Sequence, residues 1–151
     1  MARINIRVKG QNGEREAARL LQGFAGPVAA HCGVEIPKFE RNILQSRQGG
    51  YDLVGADWLA LEVKRQELEY NPAWWDQVRR AAGPGQEPVL MWRQNRRPWK
   101  FKLTLWSQVG RKKVPVEAVL DETNFKSWFQ FRLFAEWTRS TEHNPQPQQD
   151  R

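Results

Sequence analysis

Asp52 and the triplet Glu62-Val63-Lys64 lie in a segment whose pattern makes them neighbours. Trp58 to Lys64 alternates as a strand, sending Ala60, Glu62 and Lys64 to one face and Leu59, Leu61 and Val63 to the other. Tyr51 to Val54 reads as a preceding strand, with Gly55-Ala56-Asp57 as the turn of a β-hairpin. If the turn is those three residues, Asp52 pairs opposite Ala60 and shares the face of Glu62; a two-residue turn reverses the facing. Two carboxylates and a lysine on one face offer a hard divalent ion its preferred oxygen ligands, with magnesium the first choice and manganese its substitute. A lysine beside an acid is also the composition of a plain ion pair, and Asp52 is what separates the two readings. Composition narrows the metal chemistry further. With one cysteine, Cys32, and two histidines, His31 and His143, the chain cannot form an intrachain disulfide or an all-Cys/His zinc site. Adjacent residues such as His31 and Cys32 do not face each other as a nucleophile and its base.

The charge has an uneven layout. The formal net charge is +7, and residues 1–92, 114–139 and 140–151 contribute +1, −1 and −1. The excess comes from Arg93, Arg96, Arg97, Lys100, Lys102, Arg111, Lys112 and Lys113, a stretch without one acid. Such a block is a footprint for a polyanion, and with 8 Trp residues in the chain it points to nucleic acid. Its other reading is a solvated hairpin whose cations protect an edge strand.

These groups need a scaffold, and 151 residues favour a single domain, taken as residues 1–139, with a disordered Asn, Pro and Gln tail over 140–151. Ala17, Leu20, Leu21 and Phe24 form the apolar stripe of a helix over 11–24, with Gly26-Pro27 as its stop. Residues 34–46 read as a loop or a short irregular strand. Asn71-Pro72 opens a short helix over Pro72 to Ala82, and Gly83-Pro84 closes it. Strands are predicted over Pro88 to Trp92, Trp99 to Leu105 and Val114 to Leu120. A last helix carries Phe125, Trp128, Phe129, Leu133 and Trp137 on one stripe, with Phe131 and Phe134 partly off it. The order indicates an α/β sandwich around a central sheet. No apolar run is long enough to span a membrane and the N-terminus lacks a signal-peptide core, so the expected location is cytoplasmic.

At Asp52 and Glu62-Val63-Lys64 the chain resembles the PD-(D/E)XK nuclease superfamily, although Gly50-Tyr51 replaces the proline that precedes the family's aspartate. Gly10-Gln11-Asn12-Gly13-Glu14-Arg15-Glu16 is similar to the opening of archaeal-type Holliday junction resolvases, of which this chain would be a phage-encoded or a cellular member. The family's helical glutamate corresponds to Glu14, in preference to Glu16. Gln77 matches a glutamine that these resolvases carry after the Glu-x-Lys strand, and Ser46 and Arg47 fall in a loop corresponding to their serine-bearing loop. The resemblance covers roughly residues 7–106.

The resemblance implies a restriction-endonuclease-like core, a central mixed β-sheet flanked by helices, and magnesium-dependent hydrolysis of phosphodiester bonds. Asp52, Glu62, the Val63 carbonyl and, through water, Glu14 would hold the metal. Lys64 would orient or help deprotonate the attacking water, or neutralise charge on the phosphate. The basic block, with Ser46, Arg47, Arg79 and Arg80, would grip the DNA backbone. The expected partners are branched DNA and a second copy of the chain. Within the same chemistry stands a nicking or flap-cutting nuclease, which in a phage would work in the host cytoplasm. A non-catalytic nucleic-acid-binding module on the same fold is the reading of another class.

Overall fold

The computed structural model describes residues 6–43 and 50–142. Among the described residues three helices and six strands follow in the order α1 (Ile6–Cys32), β1 (Glu40–Arg41), β2 (Leu53–Val54), β3 (Leu59–Arg65), α2 (Pro72–Ala81), β4 (Glu87–Arg93), β5 (Lys100–Val109), β6 (Lys112–Leu120) and α3 (Glu122–Glu142). The strands form one mixed sheet in sequence order. Among the described residues only the β3–β4 pair is parallel, because α2 carries the chain back between them; the other pairings are antiparallel. This is the helix, strands, helix, strands order expected from the sequence.

Two layers of side chains hold the sheet. On one face Leu59, Leu61, Val63, Val89, Met91, Phe101 and Leu103 meet α1 and α3 in the main core. Phe101 stacks on Phe125 with ring centroids 3.9 Å apart. On the other face Ala60, Leu90 and Trp92 meet Trp75 and Val78 of α2 in a smaller cluster. Of the adjacent Trp74 and Trp75, Trp75 is therefore the core member. Trp74, half-buried, meets the Tyr70 ring edge-on. Asn71 caps α2, its side chain accepting the Ala73 N–H at 2.9 Å, with Pro72 in the first turn as expected.

The first helix departs from expectation. It does not stop at Gly26-Pro27 but runs through Pro27 to Cys32. A proline removes one helical hydrogen bond and crowds the carbonyl four residues back. Burial outweighs that loss here, since Ala25 and Ala29 are both fully inaccessible and the His31 ring meets Phe134 of α3 at 5.9 Å. The end comes instead at Gly33, whose φ of 65° lies in the left-handed region. At its other end α1 crosses β3 so closely that a Cβ on Gly13 would stand 2.8 Å from the Arg65 Cβ. That close approach sets the height of Glu14 over the sheet. The stretch after α1, open between loop and strand in its sequence, holds the two-residue strand β1, paired with β2. The last helix runs through Glu142, so Ser140 to Glu142 are helical rather than the start of the tail.

The β5–β6 hairpin is longer than its apolar pattern predicted, reaching Val109 and Lys112 around Gly110, where φ is 60°. Beyond the cover of the helices its side chains are exposed, Trp106 (62%) and Val109 (61%) among them. Antiparallel pairing continues there because cross-strand backbone bonds and β-branched partners sustain a two-stranded ribbon that has no core beneath it.

Candidate active site

β3 is the central support, with β2 on one side and β4 on the other. Its pairing with β2 sets Leu53 opposite Leu61, two residues from the register that a three-residue turn gives. An even shift preserves facing, so the sequence reading of Asp52 beside Glu62 holds although its pairing with Ala60 does not. Gly55 makes the tight turn possible. Its φ is 141°, and a Cβ there would meet the Phe39 ring at 2.6 Å.

Asp52 lies at the edge of β3, just ahead of β2, and its Oδ2 accepts the Val63 N–H at 2.7 Å. The carboxylate thus satisfies a strand donor beyond the end of the β2–β3 pairing, and the bond fixes it in place. Glu62 is 1% exposed. Its Oε1 accepts from Lys64 Nζ at 2.7 Å and from Gln77 Nε2 at 2.6 Å, whereas Oε2 is buried with no hydrogen-bond partner. Burial, and then the neighbouring Asp52 charge, push the Glu62 carboxyl up to about 7; Lys64 opposes both, and Glu14 adds to the rise.

Glu14 lines the same cleft as Asp52, Val63 and Lys64, a cavity of about 470 Å³ continuing past Glu67 to Leu68. Its carboxylate is ion-paired with Arg41 of β1. Glu16, the alternative helical acid, bridges Arg93 at 2.7 Å and Arg65 at 3.4 Å. Of the two helical acids, Glu14 lines the cleft and Glu16 does not. Arg41 gave no signal in the sequence, because its contact with Glu14 spans 27 residues. Glu67, 57% exposed, is paired with Lys9 and accepts from Asn95.

Among the described residues no three of His, Cys, Asp and Glu stand together as a complete metal cluster. The donors nevertheless suit a divalent cation. Two carboxylates are held side by side at an electrostatic cost, and one presents a buried oxygen that nothing in the chain satisfies. Asp52 and Glu62 are the residues fit to hold it, with Glu14 across the cleft in the grip of Arg41.

The basic block divides in space. Arg96, Arg97 and Lys100 are exposed at the β4–β5 turn, at the sheet end where β3 leads into the cleft. Arg111, Lys112 and Lys113 are exposed at the tip of the β5–β6 hairpin, the opposite end. Two cations turn inward. Lys102 Nζ donates to the Tyr70 hydroxyl at 3.1 Å and pairs with Glu117 at 3.3 Å; burial lowers its pKa, but these two partners outweigh that and raise it. Arg93 is engaged by Glu16 and lies 5.2 Å over the Trp99 ring. Both serve internal contacts rather than a free cationic face. On α2, Arg79 stands 3.6 Å from Glu117, and Arg80 is exposed. Ser46 and Arg47 lie outside the described residues.

The fold and site together define an α/β chain that sets a second carboxylate, a lysine and a glutamine around the buried Glu62 carboxylate of the interior strand β3. No protein-family model matches the sequence, and no curated protein matches it significantly. Among solved structures, the Holliday junction resolvase Hjc of Archaeoglobus fulgidus, an archaeal hyperthermophile, is similar at 18% identity and a TM-score of 0.47. The likeness covers 77% of this chain and 97% of that one. A similarity of that degree leaves the functional reading to the side chains. No helix among the described residues is long and apolar enough to cross a membrane.

Proposed function

We propose that this chain is a divalent-metal-dependent DNA endonuclease selective for branched substrates, a Holliday junction resolvase acting as a homodimer. The observation that carries the reading is the buried Glu62 carboxylate beside Asp52, gripped on Oε1 by Lys64 and Gln77 and left open on Oε2. A structural ion pair would satisfy both oxygens; a half-satisfied acid beside a second acid suits a metal.

Asp52 and Glu62 would hold magnesium, or manganese in its place, and Glu14 would contribute from across the cleft through water. When bound, the ion polarises the scissile phosphate and lowers the pKa of water. The chain's own groups do the positioning. The Val63 N–H orients the Asp52 carboxylate, and Gln77 fixes the Glu62 rotamer while leaving Oε2 aimed elsewhere. Lys64, with 19% of its side chain exposed, sits between Glu62 and the cleft, where its ammonium can meet a phosphate oxygen or hold the attacking water. Arg96, Arg97 and Lys100 beside the cleft contact the phosphates of the approaching strand, which provides affinity without base readout. Two cuts across a four-way junction require two such sites, and one chain carries one, so the twofold dimer follows from the substrate. The exposed Phe131 (72%) and Phe134 (42%) of α3 are its candidate anchors.

The test is cleavage of end-labelled four-way, flap and linear DNAs with magnesium, alongside sizing by light scattering. Paired nicks across the four-way junction by a dimer are expected. A monomer that cuts linear duplex as readily as junctions overturns the resolvase reading, and absence of metal-dependent cutting overturns the nuclease reading.

A further inference from the structure

A second depression adjoins the cleft. It has a volume of about 560 Å³ and is lined by Glu69, Tyr70, Trp92, Arg97, Pro98 and Lys100. Leu68 lines the cleft and Glu69 lines this depression, so two consecutive residues of the loop after β3 contribute one to each. Leu68, the cleft residue next to Glu69 in the chain, is 73% exposed, an apolar side chain between Glu67 and Glu69. The walls are held together before any ligand arrives. Gln94 of the β4–β5 turn donates to the Glu67 carbonyl at 3.0 Å, Asn95 binds the Glu67 carboxylate, and the turn closes on its own Arg97 N–H bond to Gln94 at 3.1 Å. The aromatic floor is fixed too. Tyr70 and Trp92 lie with ring centroids 5.1 Å apart, and the Tyr70 hydroxyl is anchored by Lys102.

A rigid aromatic floor under two exposed cations, next to a cleft for a scissile phosphate, matches the chemistry of a nucleotide: base on the rings, phosphate on Arg97 and Lys100. We infer that this depression is a subsite for one unpaired nucleotide of the DNA strand, adjacent to the phosphate to be cut. The inference rests on the nuclease reading and deepens it. Leu68 acts as the wedge at the branch point, where an apolar side chain separates the extruded base from the remaining stack. Paired duplex cannot fill the subsite without breaking a base pair, whereas a branch point or bulge offers an unstacked base at lower cost. Selectivity for branched DNA then comes from one pocket in each protomer. The Glu69 carboxylate on the rim repels a phosphate and can accept from a base amino group, which orients the nucleotide with its sugar-phosphate toward Arg97 and Lys100.

The test is photocrosslinking of the intact wild-type chain, in EDTA, to junctions and bulged duplexes carrying 5-iodo-deoxyuridine at the unpaired or branch nucleotide. Crosslinks mapped to Tyr70 or Trp92 are expected. A second measurement compares affinities for bulged and fully paired duplex in wild type and in Tyr70→Leu, a change that keeps apolar bulk and removes the stacking surface. The bulged-to-paired preference should fall by at least about fivefold, the lower end of what removal of a base–aromatic stack costs. Crosslinks confined to other residues, or an unaltered preference in a folded Tyr70→Leu, overturn the subsite. Because the crosslinking needs no metal, its outcome separates from the nuclease reading: crosslinks at Tyr70 together with no cutting in the magnesium assay leave the subsite and remove the enzyme, and cutting in the magnesium assay with crosslinks elsewhere does the reverse.

Discussion

Replacing Glu62 with Gln should abolish a pH dependence of stability that the wild-type chain shows in the absence of metal. The folded-state carboxyl sits at about 7 against an ordinary value of 4.5. Between those values the unfolded chain has lost the proton and the folded one retains it, so stability falls as pH rises through the window and is constant above it. At about 1.4 kcal/mol per pKa unit the loss is about 3 kcal/mol, or roughly 10 °C in Tm for a chain of this size. The amide adds a buried group of its own beside Lys64 and Gln77, but that cost does not vary with pH. It therefore cancels in the difference between pH 5 and pH 8. Thermal unfolding of both proteins in EDTA across that range is the assay, and the wild-type Tm should drop relative to Glu62→Gln as pH rises. Magnesium added at pH 8 should recover stability in wild type and not in the variant. Parallel profiles for the two proteins would refute the argument, because Glu62 would then be as easily ionised folded as unfolded.

Asp52→Asn and Glu62→Gln should each eliminate magnesium-dependent cutting while junction affinity in EDTA, read by gel shift, stays level or tightens. Lys64→Ala should lower the single-turnover rate by about 10²-fold or more while keeping the magnesium-induced rise in Tm, since its role is with water and phosphate. Neutralising Arg96, Arg97 and Lys100 should flatten the log–log salt dependence of duplex binding by about 0.9 for each phosphate no longer neutralised. Lys102→Ala should leave that slope in place and lower Tm instead, because its ammonium already serves Tyr70 and Glu117.

The hairpin and its face were legible in the sequence because alternation is local: the apolar set Leu59, Leu61 and Val63 fixes where Glu62 and Lys64 must go. Facing survived an error in register only because the error was even. The brackets of α2 were equally local, a cap and a proline at one end and Gly83-Pro84 after the other. What failed depended on distant contacts. Pro27 reads as a stop until Ala25 and Ala29 are seen to be buried against the rest of the fold. Arg41 and Glu14 come together across a loop that no periodicity describes. The basic block looked continuous along the chain, and pairing with Glu16 and Glu117 withdrew Arg93 and Lys102 from it. Side-chain hydrogen bonds between elements, such as Gln77 to Glu62, entered the sequence reading only through the family resemblance.

The length of the β5–β6 hairpin sets a distance scale. From Lys100 to Val109 the strand advances about 30 Å at some 3.3 Å per residue, and each end carries three exposed cations. Duplex DNA covers the same distance in about nine base pairs, close to one helical turn. A duplex arm lying along the hairpin would thus present the same groove side to both clusters, one beside the cleft and one at the tip. On the proposed function the hairpin would then work as a ruler: arms shorter than about nine base pairs would engage the cleft end alone, and longer arms would gain nothing beyond the tip.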